Sequence, residues 1–298
     1  MAPSEKEHQI LGLETDPGRL TRNVLDLRSR QAFAAVHLRG GVNLPLEEGP
    51  AGWWEPARLE VNLPSIHLPP RHEPLLLVAS RQTDADLVAG HLAARDRAAV
   101  AGIGLTEADL ALLPEAWLER GRTRHHLWQP PPWLAAHLDL LPPPTAGPVL
   151  DLACGSGRAM VWLAEMGYRV TGVDWQSEAL ALGRRLAEDR GVTCRFLEGD
   201  LRDPGSVPAG PWSVILNFRF RQVELLEKMA GWLQPAGVVL VRTFRSAPGY
   251  GGHPSPRHRL GPGELLRYFP TRTCQILAHE ESHDPDGRPA SGIVARKI

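Results

Sequence analysis

The residues best suited to chemistry lie in one run, Asp151-Leu152-Ala153-Cys154-Gly155-Ser156-Gly157-Arg158. An apolar stretch, Val149–Ala153, precedes it and reads as a strand, and Arg158–Met166 after it reads as a helix. Gly155 and Gly157 let the chain turn sharply and approach a ligand with no Cβ in the way. Asp151 stands at the strand end, where a carboxylate can meet an ammonium group. Met160 occupies the position at which a dinucleotide-binding G-x-G-x-x-G pattern has its last glycine. The run therefore suits an amino-acid-bearing ligand better than a pyrophosphate, which counts against a dehydrogenase.

Three further positions fall on strand ends in the same order. Asp174, followed by Trp175, closes the next apolar run about 20 residues on, where a carboxylate grips ribose hydroxyls in open parallel sheets. Asp200 and Leu201 follow the third strand; the acid can accept from an adenine amino group and the leucine can cover the ring. Asn217 ends the fourth, beside the point where strand order reverses. A lone G-x-G loop is weak evidence, and Asp200 alone could be a helix cap. Four elements in order make coincidence improbable.

This series resembles the motifs of class I S-adenosylmethionine-dependent methyltransferases: D-L-A-C-G-S-G-R, V-D-W, E-G-D-L and the turn Gln234-Pro235-Ala236-Gly237. C-G-S-G-R and the late block H-P-S-P-R-H-R-L-G-P-G-E-L-L look most like the tellurite-resistance and small-molecule type. The resemblance covers about half of the chain. It implies S-adenosylmethionine as cofactor, a mainly parallel seven-stranded Rossmann-like sheet, and cofactor contacts from Asp151, Ala153, Cys154, Gly155, Gly157, Asp174, Trp175, Asp200, Leu201 and Asn217. Ala236 departs from the glycine usual in the family.

The elements that must position these residues alternate regularly from Pro148. Strands are expected over Val149–Ala153, Arg169–Val173, Thr193–Glu198, Trp212–Phe218 and Gly237–Phe244. Helices are expected over Arg158–Met166, Glu178–Arg190 and Gln222–Leu233. That is α/β architecture with crossover helices. The methyl acceptor would be met by Arg219 and Arg221 after Asn217, and by the loop Arg245–Leu260. That loop carries His253, Arg257 and His258 among glycines and prolines, and could act as a lid. A solvated surface loop is an equal alternative. Asn217 is followed by Phe-Arg-Phe rather than the N-P-P-Y type tetrad of amino-group methyltransferases, which weakens a DNA or glutamine reading.

The first third of the chain forms a smaller α/β pattern. Strands are expected at Val24–Leu27 and Leu75–Ala79, and helices at Gln31–His37 and Asp84–Arg97. V-L-D-L-R and A-V-H-L-R-G-G-V-N-L-P are similar to the rhodanese family, with the match running from about Arg19 to Ile103. An active rhodanese has its nucleophilic cysteine directly after the strand placed here at Leu75–Ala79. This chain reads Ala79-Ser80-Arg81-Gln82 there and has no cysteine before Cys154. Serine cannot carry a persulfide, so the implied module is degenerate, with a role in binding or packing. His37 is better read as a structural histidine than as a functional one.

These readings divide the chain into a leader (1–18), a rhodanese-like α/β domain (19–103), a helical and Pro-rich connector (104–147) and a methyltransferase domain (148–298). Within the connector, Thr106 and Asp109 mark the start of a helix expected to run to about Arg120. A second helix is expected around Trp133–Leu140, and Trp128 with Pro130–Pro132 is placed beside the cofactor by resemblance. Charge is near balance overall, with 14 Lys and Arg against 18 Asp and Glu over 1–146 and 19 against 16 beyond. That argues against a dedicated nucleic-acid binder and leaves a small, anionic acceptor open. Cys154, Cys194 and Cys274 form no C-x-x-C pair, so neither a disulfide framework nor a metal site is expected. With no signal peptide or membrane span visible, a cytoplasmic location is the expectation. A protein partner through the rhodanese-like region, a macromolecular acceptor recruited by it, or a vestigial fold serving sulfur relay are the alternatives.

Overall fold

The computed structural model describes residues 23–48, 59, 63, 67–71, 73–95, 97, 100–123 and 125–298. The expected leader lies outside the described residues. The chain divides into two compact units, Met1–Gln129 and Pro130–Ile298. Of the connector, residues up to 129 belong to the first unit and the proline-dense stretch from Pro130 to the second.

The described strands of the first unit are β1 (Val24–Asp26), β2 (His37–Leu38), β3 (Val42–Asn43), β4 (Leu75–Ala79), β5 (Val100–Gly104) and β6 (Leu118–Glu119). Four of them form a parallel sheet in the order β3-β1-β4-β5, while β2 and β6 pair antiparallel. Every residue of β4 is buried, as a central parallel strand requires. Helix α1 (Arg30–Ala35) is capped by Ser29, whose Oγ accepts from Ala32 N at 3.1 Å. Helix α2 (Gln82–Ala93) packs so closely on β5 that a Cβ at Gly102 would stand 2.7 Å from the Ala85 backbone.

The D-x-R pattern of β1 is a buried ion pair. Arg28 donates from Nε to Asp26 Oδ1 at 3.0 Å and from Nη2 to Oδ2 at 2.6 Å, with both side chains 1% exposed. The same guanidinium donates to Val36 O, and Asn43 Nδ2 donates to the carbonyls of Asp26 and Arg28. Fork-to-fork geometry plus these extra bonds is what makes such a pair tolerable in a core.

The helix expected from Thr106 to Arg120 is only α3 (Glu107–Leu110), although Thr106 and Asp109 cap it reciprocally as the spacing suggested. Pro114 cannot continue a helix, and the chain turns instead into β6.

The second unit opens with α4 (Pro132–Ala136). A seven-stranded sheet follows, built from β7 (Val149–Leu152), β8 (Val170–Asp174), β9 (Arg195–Glu198), β10 (Trp212–Phe218), β11 (Leu233–Phe244), β12 (Cys274–His283) and β13 (Pro289–Lys297). Its order is β12-β13-β11-β10-β7-β8-β9, and only β13 runs antiparallel to its neighbours. The crossover helices are α5 (Arg158–Glu165), α6 (Ser177–Asp189) and α7 (Val223–Trp232), with the short α8 (Glu264–Tyr268) before β12. Strand order reverses between β7 and β10, which opens a crevice at their C-terminal ends. One face of the sheet buries Leu150, Leu152, Ile215, Val239 and Ile293 beneath Leu225, Leu226 and Leu265.

Removing one partner of the Asp26–Arg28 pair strands the other in the core. Arg28→Met is expected to destabilise the first unit by about 3–5 kcal/mol, read from urea unfolding. A loss below about 1 kcal/mol would mean that the pair is not the tie described.

Candidate active site

The glycine run after β7 adopts an unusual backbone. Ala153, Gly155 and Gly157 all have positive φ, of 59°, 53° and 68°. Left-handed conformation is costly for alanine, and such strain collects at functional sites. The two glycines serve different ends. A Cβ at Gly155 would meet nothing within 4 Å, so the loop is open there; one at Gly157 would stand 2.6 Å from Phe196 Cε1. Met160 fills the place of the absent third glycine, and the close approach is provided from the opposite side. A Cβ on Gly172, in the middle of β8, would collide with Met160 Sδ and lie 2.7 Å from Cys154 Sγ.

Asp174, at the end of β8 and 7% exposed, ties this loop to the start of α6. Its Oδ2 accepts from Gly155 N at 2.7 Å and its Oδ1 from Gln176 N at 2.9 Å. Each oxygen keeps a lone pair for a ribose hydroxyl. Asp151 is 3% exposed on β7; burial, with the Asp174 charge second, pushes its carboxyl up to about 8. An ammonium arriving beside it would favour the ionised form. Cys154 lies in the loop with its thiol pushed far up, first by burial and then by Asp151 and Asp174, so it is a poor nucleophile.

The other cofactor candidates divide. Trp175 is 64% exposed next to Asp174. Asp200 is partly exposed and paired with Arg202 at 2.6 Å, whose hydrogen bonds hold its carboxyl below the ordinary range. Leu201 packs into the core cluster with Leu150 and Leu152. Asn217 is fully buried at the end of β10, and neither its Nδ2 nor its Oδ1 has a hydrogen-bond partner among the described residues. An orphaned amide at the strand-order reversal, an open glycine and two buried carboxylates fit an amino-acid-bearing nucleoside. Asp151 would face its ammonium, Asp174 its ribose, and Asn217 a polar group at the crevice floor.

On the other side of the reversal, Arg219, Arg221, Arg257 and His258 come together around a cavity of about 490 Å³, joined by Arg202 and Phe220. Arg219 has φ 60°, and its guanidinium pairs with Asp286 at 3.2 Å and Asp284 at 3.6 Å on the β12–β13 turn. Arg221 pairs with Glu264 at 2.8 Å and donates to Arg257 O at 3.3 Å. His258 Nε2 accepts from Arg257 Nε at 3.0 Å. His253 is not among the residues lining this cavity; its carbonyl accepts from Tyr250 Oη at 2.8 Å. Sequence reasoning missed Arg202, Glu264, Asp284 and Asp286. Arg202 was within reach, because it directly follows the E-G-D-L motif.

The loop after β11 is cross-linked rather than loose. Arg259, 7% exposed, donates to Pro254 O at 2.7 Å, to Tyr250 O at 2.9 Å and to Gly252 O, and lies over the Tyr250 ring. Leu260 N donates to Phe244 O and Ser246 N to Leu260 O, which closes the loop at its base.

In the first unit, Ser80 directly follows β4. Its N–H and Oγ both donate to the Glu47 carboxylate, at 2.6 and 2.7 Å. His37 is 1% exposed and stacked on Phe33 at 3.7 Å, with Nδ1 2.8 Å from Phe33 O. Burial lowers its pKa. Trp128 is a buried residue of this unit, stacked with His126.

Residues 149–237 match the family described as methyltransferase domain. Across 92% of its length the chain is 24% identical to the Schizosaccharomyces pombe protein called Uncharacterized protein UNK4.09, 93% of which is covered. Over 39% of this chain and 56% of the relative it is 36% identical to demethylmenaquinone methyltransferase of Thermus thermophilus, so it spans about half of that protein. The crystal structure of TehB from Haemophilus influenzae resembles 55% of this chain and 61% of its own, with TM-score 0.47 and 20% identity. The second unit is a class I S-adenosylmethionine-dependent methyltransferase domain.

Two outcomes follow from the carboxylates. Asp174→Ala is expected to weaken S-adenosylmethionine binding by about 1–3 kcal/mol in calorimetry, the loss typical of hydrogen bonds to a charged group; unchanged affinity would remove Asp174 from the cofactor site. Asp151 has a folded value raised from 3.8 to about 8, so folding takes up a proton between those values. Its contribution is fully present below about pH 4 and declines as pH rises through about 8. Urea midpoints of the cofactor-free protein should therefore fall less over that window in Asp151→Asn than in the parent; equal slopes would contradict the burial argument.

Proposed function

We propose that the chain transfers a methyl group from S-adenosylmethionine to a small anionic acceptor held in the cavity lined by Arg219, Arg221, Arg257 and His258. The cofactor supplies an electrophilic methyl on a sulfonium; its S–C bond breaks as the bond to the acceptor forms, leaving S-adenosylhomocysteine. The protein's part is positioning, which alone can supply a large share of such a rate. The observation that carries this reading is the convergence of those four residues from two separate segments on one cavity beside the strand-order reversal. Guanidinium forks suit carboxylate or phosphate oxygens. Arg219 has a left-handed backbone and a guanidinium paired with two carboxylates, a strain consistent with a functional position. His258 Nε2, which accepts from Arg257 Nε, is placed to take a proton from the acceptor once Arg257 turns to the anion.

The first unit is read as a rhodanese-like module without sulfur chemistry, in a cytoplasmic protein. Its parallel sheet, the strand–loop–helix at Ser80 and the D-x-R pair support that reading. The Glu47 carboxylate takes the two donors of Ser80, so the loop already holds an anion of its own.

Arg219→Ala and Arg257→Ala should each lower kcat/KM for the acceptor at least tenfold while cofactor affinity stays within twofold; a screen of thiols, oxyanions and carboxylated metabolites with labelled cofactor supplies the substrate. Unchanged acceptor kinetics in both variants would dismiss the cavity. The first unit should show no cyanide-dependent thiocyanate formation from thiosulfate. Turnover surviving loss of Cys154, Cys194 and Cys274 would refute the degenerate reading.

A further inference from the structure

A second cavity, of about 750 Å³, opens between α7, α8 and the chain entering β12, and none of its lining residues belongs to the glycine loop. Its wall carries Arg221, Arg267, Arg272 and Lys297. Arg267 and Arg272 are exposed at its rim, with no hydrogen bond or ion pair to any described residue. Lys297 Nζ donates to Leu233 O at 2.6 Å and lies 3.4 Å from Gly231 O, which fixes the ammonium in place with donor capacity left over.

The acids nearby do not cancel this charge. Glu264 already accepts three bonds: Oε1 from Arg221 Nη2 at 2.8 Å and from Tyr268 Oη at 2.7 Å, and Oε2 from Gly261 N at 2.7 Å. Those partners draw its carboxyl below the ordinary range despite its burial, and Tyr268 is pushed up to about 12, so the network stays charged and closed near neutral pH. Glu227 is the one other acid on the wall, facing two unpaired guanidiniums and an ammonium.

We propose that this cavity binds a small, multiply charged oxyanion, and that it is a site separate from the acceptor cavity. Two guanidinium forks and an anchored ammonium are donors suited to phosphate or carboxylate oxygens. The Tyr268 ring, Ala230 and Pro270 offer an apolar surface to the rest of such a ligand. The site is coupled to the acceptor cavity because Arg221 lines both. An oxyanion that draws Arg221 from Glu264 also moves the group bonded to Arg257 O, and such coupling is reciprocal.

The test is calorimetry on the full chain with pyrophosphate and, separately, with citrate; the anion that binds tells a phosphate source from a polycarboxylate one. One anion should bind per chain at this site, with affinity falling as salt rises. Arg267→Gln/Arg272→Gln should weaken it at least tenfold with the thermal midpoint unchanged, while Arg185→Gln/Arg195→Gln, which removes the same charge elsewhere, should leave it within twofold. Absence of binding by both anions, retained binding in the first double variant, or equal weakening in the second would overturn the site. S-adenosylmethionine affinity, measured in parallel, should be the same in every variant, so failure of the methyl-transfer reading would show there and not here.

Discussion

The head of the larger sheet depends on the two hydrogen bonds that the Asp174 carboxylate accepts from Gly155 N and Gln176 N. They lock the loop leaving β7 to the loop leaving β8, so that two crossovers begin from one charged tie. The left-handed residues on either side are affordable because that tie, together with the Cys154 N to Val173 O bond, over-determines the loop. Burial first, and the neighbouring Asp174 second, push the Asp151 carboxyl upward. Two buried carboxylates side by side, one of them pushed upward, suit a ligand that brings positive charge and hydroxyl donors together, and S-adenosylmethionine carries both.

The far side of the reversal follows the opposite logic. There the charges are cationic, and each is restrained: Arg219 by the β12–β13 turn, Arg221 by α8, and Arg257 by its neighbour His258 and by the Arg221 guanidinium on its carbonyl. Restraint of this kind limits the conformational entropy lost when an anion binds and keeps guanidiniums apart that would otherwise repel. Arg221 lines both cavities, bonded to Glu264 on one side and to Arg257 O on the other.

What the sequence displayed and what it hid follow from the range of the interactions. The cofactor loop, Asp174 and the alternation from Val149 to Phe244 were legible because each signal is local: an apolar run, a turn residue, an acid at the next position. The reciprocal Thr106–Asp109 cap was legible for the same reason, but the length of its helix was not, since Pro114 outweighs the favourable start. The compensation of Met160 by Gly172 joins positions on a helix and a neighbouring strand, and no periodicity reports it. The last two strands escaped notice because β12 is a sheet edge carrying Gln275, His279, Glu280 and Glu281, with a register slip between Ile276 and Ala278 that breaks alternation. The carboxylates that hold Arg219 lie more than 60 residues away, and Arg259 organises its loop through backbone carbonyls that carry no sequence identity.

The central claim is that the cofactor lies across the ends of β7 and β8 with its reactive methyl directed past Asn217 toward the arginine-lined cavity. A crystal structure of the protein with S-adenosylhomocysteine tests it most directly. Ribose hydroxyls are expected within hydrogen-bond distance of Asp174, the ammonium near Asp151, and the sulfur facing the cavity of Arg219, Arg221 and Arg257. A sulfur directed away from that cavity, or a ligand that leaves Asp174 bonded only to its backbone partners, would contradict it.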